Sequence, residues 1–374
     1  MIYTATHEML PRQNADELAR QSFVLSLKRH VMGRLYGQAG EIYAKEAEPA
    51  FVDTFGHKPE NASEAEQALD MTLPYRFTKS INRTSQEMMW QSVGETVYRE
   101  ADRITAAAER LAADNAAGGS LNLDPLFQPD QVYRDVHIHL QPEGYCPDDD
   151  GSSVTVGALY ESGGRLYSMG RGMRKDDSKA GAVLRWLEEN RPGWVPQTIF
   201  DMGCSAGGAS TVYAEKYPDA RVSACDLGAS MLRYAHARAE SSGVPVHFYQ
   251  CDAAHSPFED ESFDLIVSHN LFHEISTEKR MEIAHESLRL LKPGGICIHQ
   301  DVDLLFRDKS PWEEAVASYD LHYNNEPFWL TYAKSDFGQE LRSSGFDEKY
   351  VREARIARTS GPGHWYAFIA EKPE

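Results

Sequence analysis

The chain is short of cysteine. Five occur in 374 residues (Cys146, Cys204, Cys225, Cys251 and Cys297), and they lack the spacing of a metal site or a disulfide framework. Four of them fall in predicted strands or in a glycine-rich loop, where a thiol serves as a small apolar side chain in a reducing compartment. No apolar run is long enough to span a membrane, and the N-terminus shows no signal-peptide pattern. Positive charge is also scarce: 38 Lys and Arg stand against 57 Asp and Glu, a formal net charge of −19. Nucleic acid demands a basic surface, so this balance argues against it as a partner. Internal repeats and low-complexity tracts are missing. These absences predict a cytoplasmic globular protein with neither a membrane nor a nucleic-acid partner, long enough for two domains.

What is present is concentrated in Thr198-Ile-Phe-Asp-Met-Gly-Cys-Ser-Ala-Gly-Gly208. An apolar run ends in Asp201 and passes through Gly203, Gly207 and Gly208 into a helical pattern. Glycines there permit positive φ and close approach of a ligand. The following helix directs unpaired N–H groups over the loop. Val222 to Asp226 and Val246 to Asp252 read as two further strands, each ending in an acid. Phe263 to Asn270 reads as a fourth, and Leu291-Lys-Pro-Gly-Gly295 as the turn into a fifth. A strand, glycine loop and helix followed one βα unit later by an acid is a cradle for a nucleoside-bearing cofactor, the acid accepting the ribose hydroxyls. The dinucleotide fingerprint G-x-G-x-x-G fails here, because Ser205 stands at its second glycine. Two late strands, Tyr350–Ile356 and His364–Ala370, are joined by Thr359-Ser-Gly-Pro-Gly363 and read as a hairpin.

In order and spacing these segments resemble the class I S-adenosylmethionine-dependent methyltransferases over about Pro196 to Pro373. The resemblance implies an α/β Rossmann-like domain with a mostly parallel seven-stranded sheet and an antiparallel last strand. It implies S-adenosyl-L-methionine as cofactor. Asp201, Gly203, Cys204, Ser205 and Gly207 would lie near the methionine part, Asp226 on the ribose with Leu227 as an apolar wall, and Asp252 with Ala253 near the adenine. His269 is counted with these contacts, although strand alternation can turn its ring to the other side of the sheet. The Asn/Asp-Pro-Pro-Tyr signature for base or amide methylation is replaced by Ser268-His-Asn-Leu271. The expected reaction is methyl transfer to a small-molecule acceptor, with oxygen or nitrogen slightly favoured.

His273 and Glu274 are the catalytic candidates. They sit where plant-type O-methyltransferases have a His-Asp pair, and histidine titrates near working pH. A positioning or structural role for His273 stays open. So does a metal held by His273, Glu274 and His322, as in C-methyltransferases that use a metal to hold a 2-oxo acid; the spacing is not diagnostic, so no metal ligand is assigned. The remaining alternatives are a non-catalytic cofactor-binding or interaction protein and a macromolecule methyltransferase, which the acidity and the lack of a nucleic-acid module disfavour. Asp301 and Asp303 are further acceptor contacts to test, as are the aromatic run Tyr323, Phe328, Trp329 and Tyr332 and the Met88-Met-Trp90 triplet.

The first 192 residues have a different character. Helical patterns are expected over Asp16–Glu48, over Ala62–Leu73 with a stop at Pro74, and over Thr84–Ala113 with a capping box at its start. A small antiparallel sheet is expected from Tyr133–Leu140, Ser153–Tyr160 and Arg165–Gly170, the last two joined by a hairpin turn at Glu161-Ser-Gly-Gly164; His137 and His139 fall on one strand face, either as an exposed pair or as metal ligands. Lys179–Glu189 reads as a helix. Arg165, Arg171, Arg174 and Lys175 form a basic cluster that would clamp a carboxylate or simply be solvated. The domain division expected is 1–192, an acceptor-binding, lid or homodimerising region, and 193–374, the cofactor domain with an insertion over about 303–330.

Overall fold

A computed structural model describes residues 7–147, 151–170, 179–307, 309–359 and 363–374. Its centre is an eight-stranded sheet. The strands are β1 (Ser120–Asn122), β2 (Thr198–Met202), β3 (Arg221–Asp226), β4 (His247–Gln250), β5 (Phe263–His269), β6 (Leu291–Val302), β7 (Val351–Ala357) and β8 (His364–Glu371). They lie in the order β1-β4-β3-β2-β5-β6-β8-β7. All neighbours from β1 to β6 run parallel, and β8 is antiparallel to both β6 and β7. This is the expected architecture with one more strand, since β1 adds from the first half of the chain. Ser120, Leu121 and Asn122 are too few to register as a periodic segment, and they are strand because the exposed edge of β4 offers them partners.

Alternation along the strands divides the core. Ile199, Leu265 and Val267 face one apolar layer with the helices Lys179–Asn190, Gly208–Lys216 and Ala229–Ser241. Phe200, Phe263 and Ile266 face the other, with the helix Thr277–Leu290. The five cysteines are all free and buried, which fits small apolar side chains.

The first half departs from expectation in instructive ways. Asp16–Glu48 begins as a helix at Ala15, where Asn14 and Glu17 form a reciprocal capping box, and continues through tighter and wider turns to Phe55. Pro74 does not stop a helix but sits in the first turn of the next one, Leu73–Asp114, where a missing N–H costs nothing. That helix runs 42 residues, so Thr84 and Ser85 lie inside it rather than capping it.

The small antiparallel sheet is not formed. Residues 131–140 make a short helix (Gln131–Asp135) and a 3-10 turn (Ile138–Leu140), with His139 and Leu140 at φ 57° and 61°. Residues 155–160 and 165–167 of the other two segments belong instead to a helix, Thr155–Tyr167. Gly163, read as a hairpin turn, is a point of contact: a Cβ there would come within 2.2 Å of the Trp90 ring, and one at Gly157 within 2.3 Å of Tyr234. The glycines let the helix lie flat on its neighbours. It packs with Leu73–Asp114 and Ala229–Ser241 in a third apolar cluster. A fourth joins the N-terminal helices to Trp312 and Ala315 of the insertion after β6. Among the described residues no helix is long and apolar enough to cross a membrane.

Candidate active site

In an open parallel sheet the ligand crevice lies beyond the carboxyl ends of the strands, where the strand order reverses. Here that point is between β2 and β5. The loop after β2 and the turn after β5 meet so closely that a Cβ at Gly203 (φ 67°) would be 2.9 Å from Cδ1 of Leu271. Gly207 (φ 71°) is held by packing, its Cβ position 2.9 Å from that of Ala235. Ser205 takes a left-handed conformation too, at φ 50°. Its N–H donates to Oδ2 of Asp226 (2.9 Å), and Gly228 N–H donates to Oδ1 (3.1 Å). One carboxylate at the end of β3 thus ties down the glycine loop. Burial pushes the Asp226 carboxyl above its ordinary range.

Asp252, just past β4, accepts from Lys279 Nζ (2.8 Å) and from Ala254 N–H (2.9 Å). Burial raises its pKa, but these partners outweigh burial and hold it below the usual value. Asp201 is buried; Ser210 Oγ donates to its Oδ2 (2.6 Å), while its Oδ1 has no partner. Burial moves this carboxyl up to about 7.

A cleft of about 960 Å³, open solvent included, runs over this edge. Gly203, Ser205, Asp226, Leu227, Asp252 and Ala253 line its sheet side. Tyr133, Ile138 and Tyr145, all from the first half of the chain, line the opposite side. Asp201, Cys204, Gly207 and His269 are outside this lining. The His269 ring is committed elsewhere: Nε2 is 3.1 Å from Tyr213 Oη and Nδ1 is 3.0 Å from Gln300 Oε1.

Glu274 belongs to the cleft wall and opens a second, polar group behind it. The 3-10 turn Phe272–Glu274 is anchored by Asp301 at the end of β6. Asp301 Oδ2 accepts the N–H of Phe272 (2.8 Å) and of His273 (3.2 Å), and its Oδ1 accepts Nδ1–H of His273 (2.6 Å). Burial opposes a charged imidazole at His273, but the Asp301 carboxylate prevails and raises its pKa. Nε2 of His273 then points toward Glu274, 3.6 Å from Oε1. That same oxygen is 3.0 Å from Nε2 of His139 and 3.4 Å from the Tyr145 hydroxyl. Nδ1 of His139 lies 2.9 Å from Oε1 of Glu326. Burial disfavours charge on His139, yet Glu326 and Glu274 outweigh it and carry the pKa up to about 10.

Several sequence candidates land elsewhere. His322 is half-exposed, with Nε2 3.9 Å from Glu66, so it does not join His273 and Glu274; His139 takes that place. His139 was expected on an exposed strand face beside His137, and the left-handed backbone in its 3-10 turn removes that strand. Arg165 is buried and pairs with Glu161 (3.3 Å) rather than facing a substrate, while Arg171, Arg174 and Lys175 lie outside the described residues. Asp303 pairs with Arg355 (3.1 Å). Trp90 is a core residue whose Nε1 donates to the His139 carbonyl (2.6 Å). Trp329 and Tyr332 box the His273 ring edge-on, at 5.7 and 5.9 Å between centroids. Glu326, Asn324 and Tyr145 were not singled out by sequence. Asn324 donates to Glu326 Oε1 (2.6 Å) and to the Tyr167 hydroxyl (3.1 Å).

Residues 199–295 match a family model described as "Methyltransferase domain". The demethylmenaquinone methyltransferase of Thermus thermophilus is 31% identical over 123 residues, 31% of this chain and 53% of that protein. The probable tRNA methyltransferase 9B of Bos taurus is 29% identical over 154 residues, 39% of this chain and 31% of that protein. The chain thus spans about half or less of the curated relatives it matches. Phosphoethanolamine N-methyltransferase 2 of Haemonchus contortus, solved in complex with S-adenosyl-L-methionine, is 17% identical with a TM-score of 0.39, covering 53% of each chain, a likeness too distant to carry an argument. The family match begins in β2 and ends at the turn within β6, spanning the glycine loop and both acids; this part of the chain, residues 199–295, is a methyltransferase domain.

Proposed function

We propose that this protein transfers a methyl group from S-adenosylmethionine to a small-molecule acceptor held between the sheet edge and the first half of the chain. The observation that carries this reading is the single cleft with Asp226 and Asp252 toward one side and Glu274 on its wall, closed over by Tyr133 and Tyr145. Asp226 accepts the ribose hydroxyls, and Leu227 packs beside the purine. Asp201, buried beneath the glycine loop, keeps an Oδ1 with no hydrogen-bond partner. A sulfonium carries its own activation, so the protein's work is to exclude water, align the acceptor and manage its proton.

In this reading residues 1–192 and the insertion over about 303–330 form the acceptor side. His273 is oriented by Asp301 with its Nε2 toward Glu274, and Glu274 borders the cleft that takes the acceptor. An oxygen or nitrogen nucleophile suits this pair, since either atom arrives carrying a proton or a charge that they can take up. The enclosed setting and the net charge of −19 favour a small metabolite over the RNA named for one relative.

Calorimetry with S-adenosylhomocysteine, followed by transfer of labelled methyl from S-adenosylmethionine into a panel of small metabolites and into bulk tRNA, tests the reading. Binding with labelling of a small molecule supports it. Labelling of tRNA alone overturns the acceptor assignment, and absence of cofactor binding overturns the whole.

A further inference from the structure

We propose that His139, His273 and Glu274 form a binding site for one divalent transition-metal ion on the wall of the cleft. His273 and Glu274 are adjacent while His139 lies 135 residues before Glu274, and the ligand atoms of the three lie within 4.8 Å of one another. Both imidazole Nε2 atoms converge on the same oxygen: Oε1 of Glu274 is 3.0 Å from His139 and 3.6 Å from His273. Donor atoms bonded at about 2.1 Å to a common ion stand roughly 3.0–3.5 Å apart, so these two spacings need little adjustment.

The surroundings repeat the pattern. A metal-bound histidine almost always donates its other ring N–H to a carboxylate or carbonyl, which fixes the ring and strengthens the ligand. Here each histidine has such a carboxylate on Nδ1, Asp301 at 2.6 Å for His273 and Glu326 at 2.9 Å for His139. Both carboxylates are 1% exposed. Asp301 is itself fixed by two backbone N–H groups, and Glu326 by Asn324. The remaining oxygen of Glu326 is buried with no hydrogen-bond partner. Four carboxylates (Glu274, Asp301, Glu326 and Asp320) share this interior with two histidines and the Lys28 and Lys179 ammonium groups.

Two imidazole nitrogens and one carboxylate oxygen select borderline ions such as Fe²⁺, Co²⁺, Ni²⁺ or Zn²⁺ over Mg²⁺ or Ca²⁺. Three protein ligands leave positions open, and Glu274 borders the cleft. An acceptor bearing an anionic oxygen is the class of ligand that fills such a position. That role toward the acceptor rests on the methyl-transfer reading; the binding of the ion does not.

The test is titration of the full chain, stripped with chelator, with Co²⁺ alone, read by its visible absorption and by calorimetry. The expected result is one equivalent bound, displaced by Zn²⁺. His139→Ala and Glu274→Ala should abolish this binding, Glu326→Gln should weaken it by roughly 10- to 100-fold, and His322→Ala should leave it unchanged. Binding of S-adenosylhomocysteine to each variant reports whether the fold is intact. No stoichiometric Co²⁺ binding by the unmodified chain, or binding indifferent to His139 and Glu274 in variants that still bind S-adenosylhomocysteine, overturns the site. If the stripped protein binds S-adenosylhomocysteine and transfers methyl at full rate, the ion's role toward the acceptor falls while methyl transfer stands. Co²⁺ binding without cofactor binding would instead overturn the methyl-transfer reading and keep the metal site.

Discussion

Oδ1 of Asp301 accepts the Nδ1–H of His273 at 2.6 Å, and Oδ2 of the same carboxylate accepts two backbone N–H groups of the turn that carries this histidine. One side chain at the end of β6 therefore sets the tautomer and ring orientation of His273 and the backbone of its turn. Asp301→Asn keeps the shape but weakens the hold on Nδ1–H. Turnover should drop by about 10²-fold or more, with S-adenosylhomocysteine affinity nearly unchanged. Steady-state kinetics beside calorimetry checks both halves, and an equal loss of cofactor affinity would show a merely structural role.

Asp226 holds the glycine loop through Ser205 and presents its carboxylate to the cleft. Asp226→Ala should weaken S-adenosylhomocysteine binding by roughly 10- to 100-fold, since a hydrogen bond to a charged group contributes about 1.5–3 kcal/mol. Calorimetry on the variant measures this directly. Unchanged affinity would remove Asp226 from the ribose.

Two adjacent glycines in the helix Thr155–Tyr167 should respond with opposite signs. A Cβ at Gly163 would meet the Trp90 ring at 2.2 Å, while one at Gly164 meets nothing within 4 Å. Gly163→Ala should lower the thermal midpoint, because overpacking costs about 1–3 kcal/mol and exceeds the gain in helix propensity. Gly164→Ala should raise it, by up to about 1 kcal/mol of stability. Differential scanning calorimetry of the pair gives the signs.

Arg99 clamps Glu17 with two hydrogen bonds (2.7 and 2.8 Å), and this guanidinium holds the Glu17 carboxyl down at about 2 against burial. A depressed folded-state pKa stabilises above the unfolded value of 4.5 and loses that contribution as pH falls toward about 2. The gap in thermal midpoint between the unmodified chain and Glu17→Gln should be full at pH 7 and close between about 4.5 and 2. A gap independent of pH would mean that Glu17 acts through packing alone.

How much of this was legible in the sequence depends on the range of the interaction. The segments 198–208, 222–226, 246–252 and 263–270 carry their own signals, apolar runs closed by acids and glycines, and the strands β2 to β5 fall on them. The helix Thr155–Tyr167 carried a signal that was misread. Val156, Leu159, Gly163 and Leu166 follow a helical period, but the paired glycines looked like a turn, because a glycine's use in close approach is invisible until its neighbour is known. His139 lies 135 residues from Glu274, and nothing local announces that they meet.

The sequence by itself determined the sheet, the glycine loop and the acids at its edge, because each depends on periodicity and backbone freedom within one βα unit. Only the tertiary structure decided what faces the cleft from the other side. There the docking of the first half brings His139 and Tyr145 against Glu274, beside His273, and the insertion brings Asn324 and Glu326 against His139. Those contacts exist because the long helix, Thr155–Tyr167 and Ala229–Ser241 bury one another's apolar faces. Burial is what makes the polar groups inside select their partners, since an unpaired charge there costs far more than one left in water.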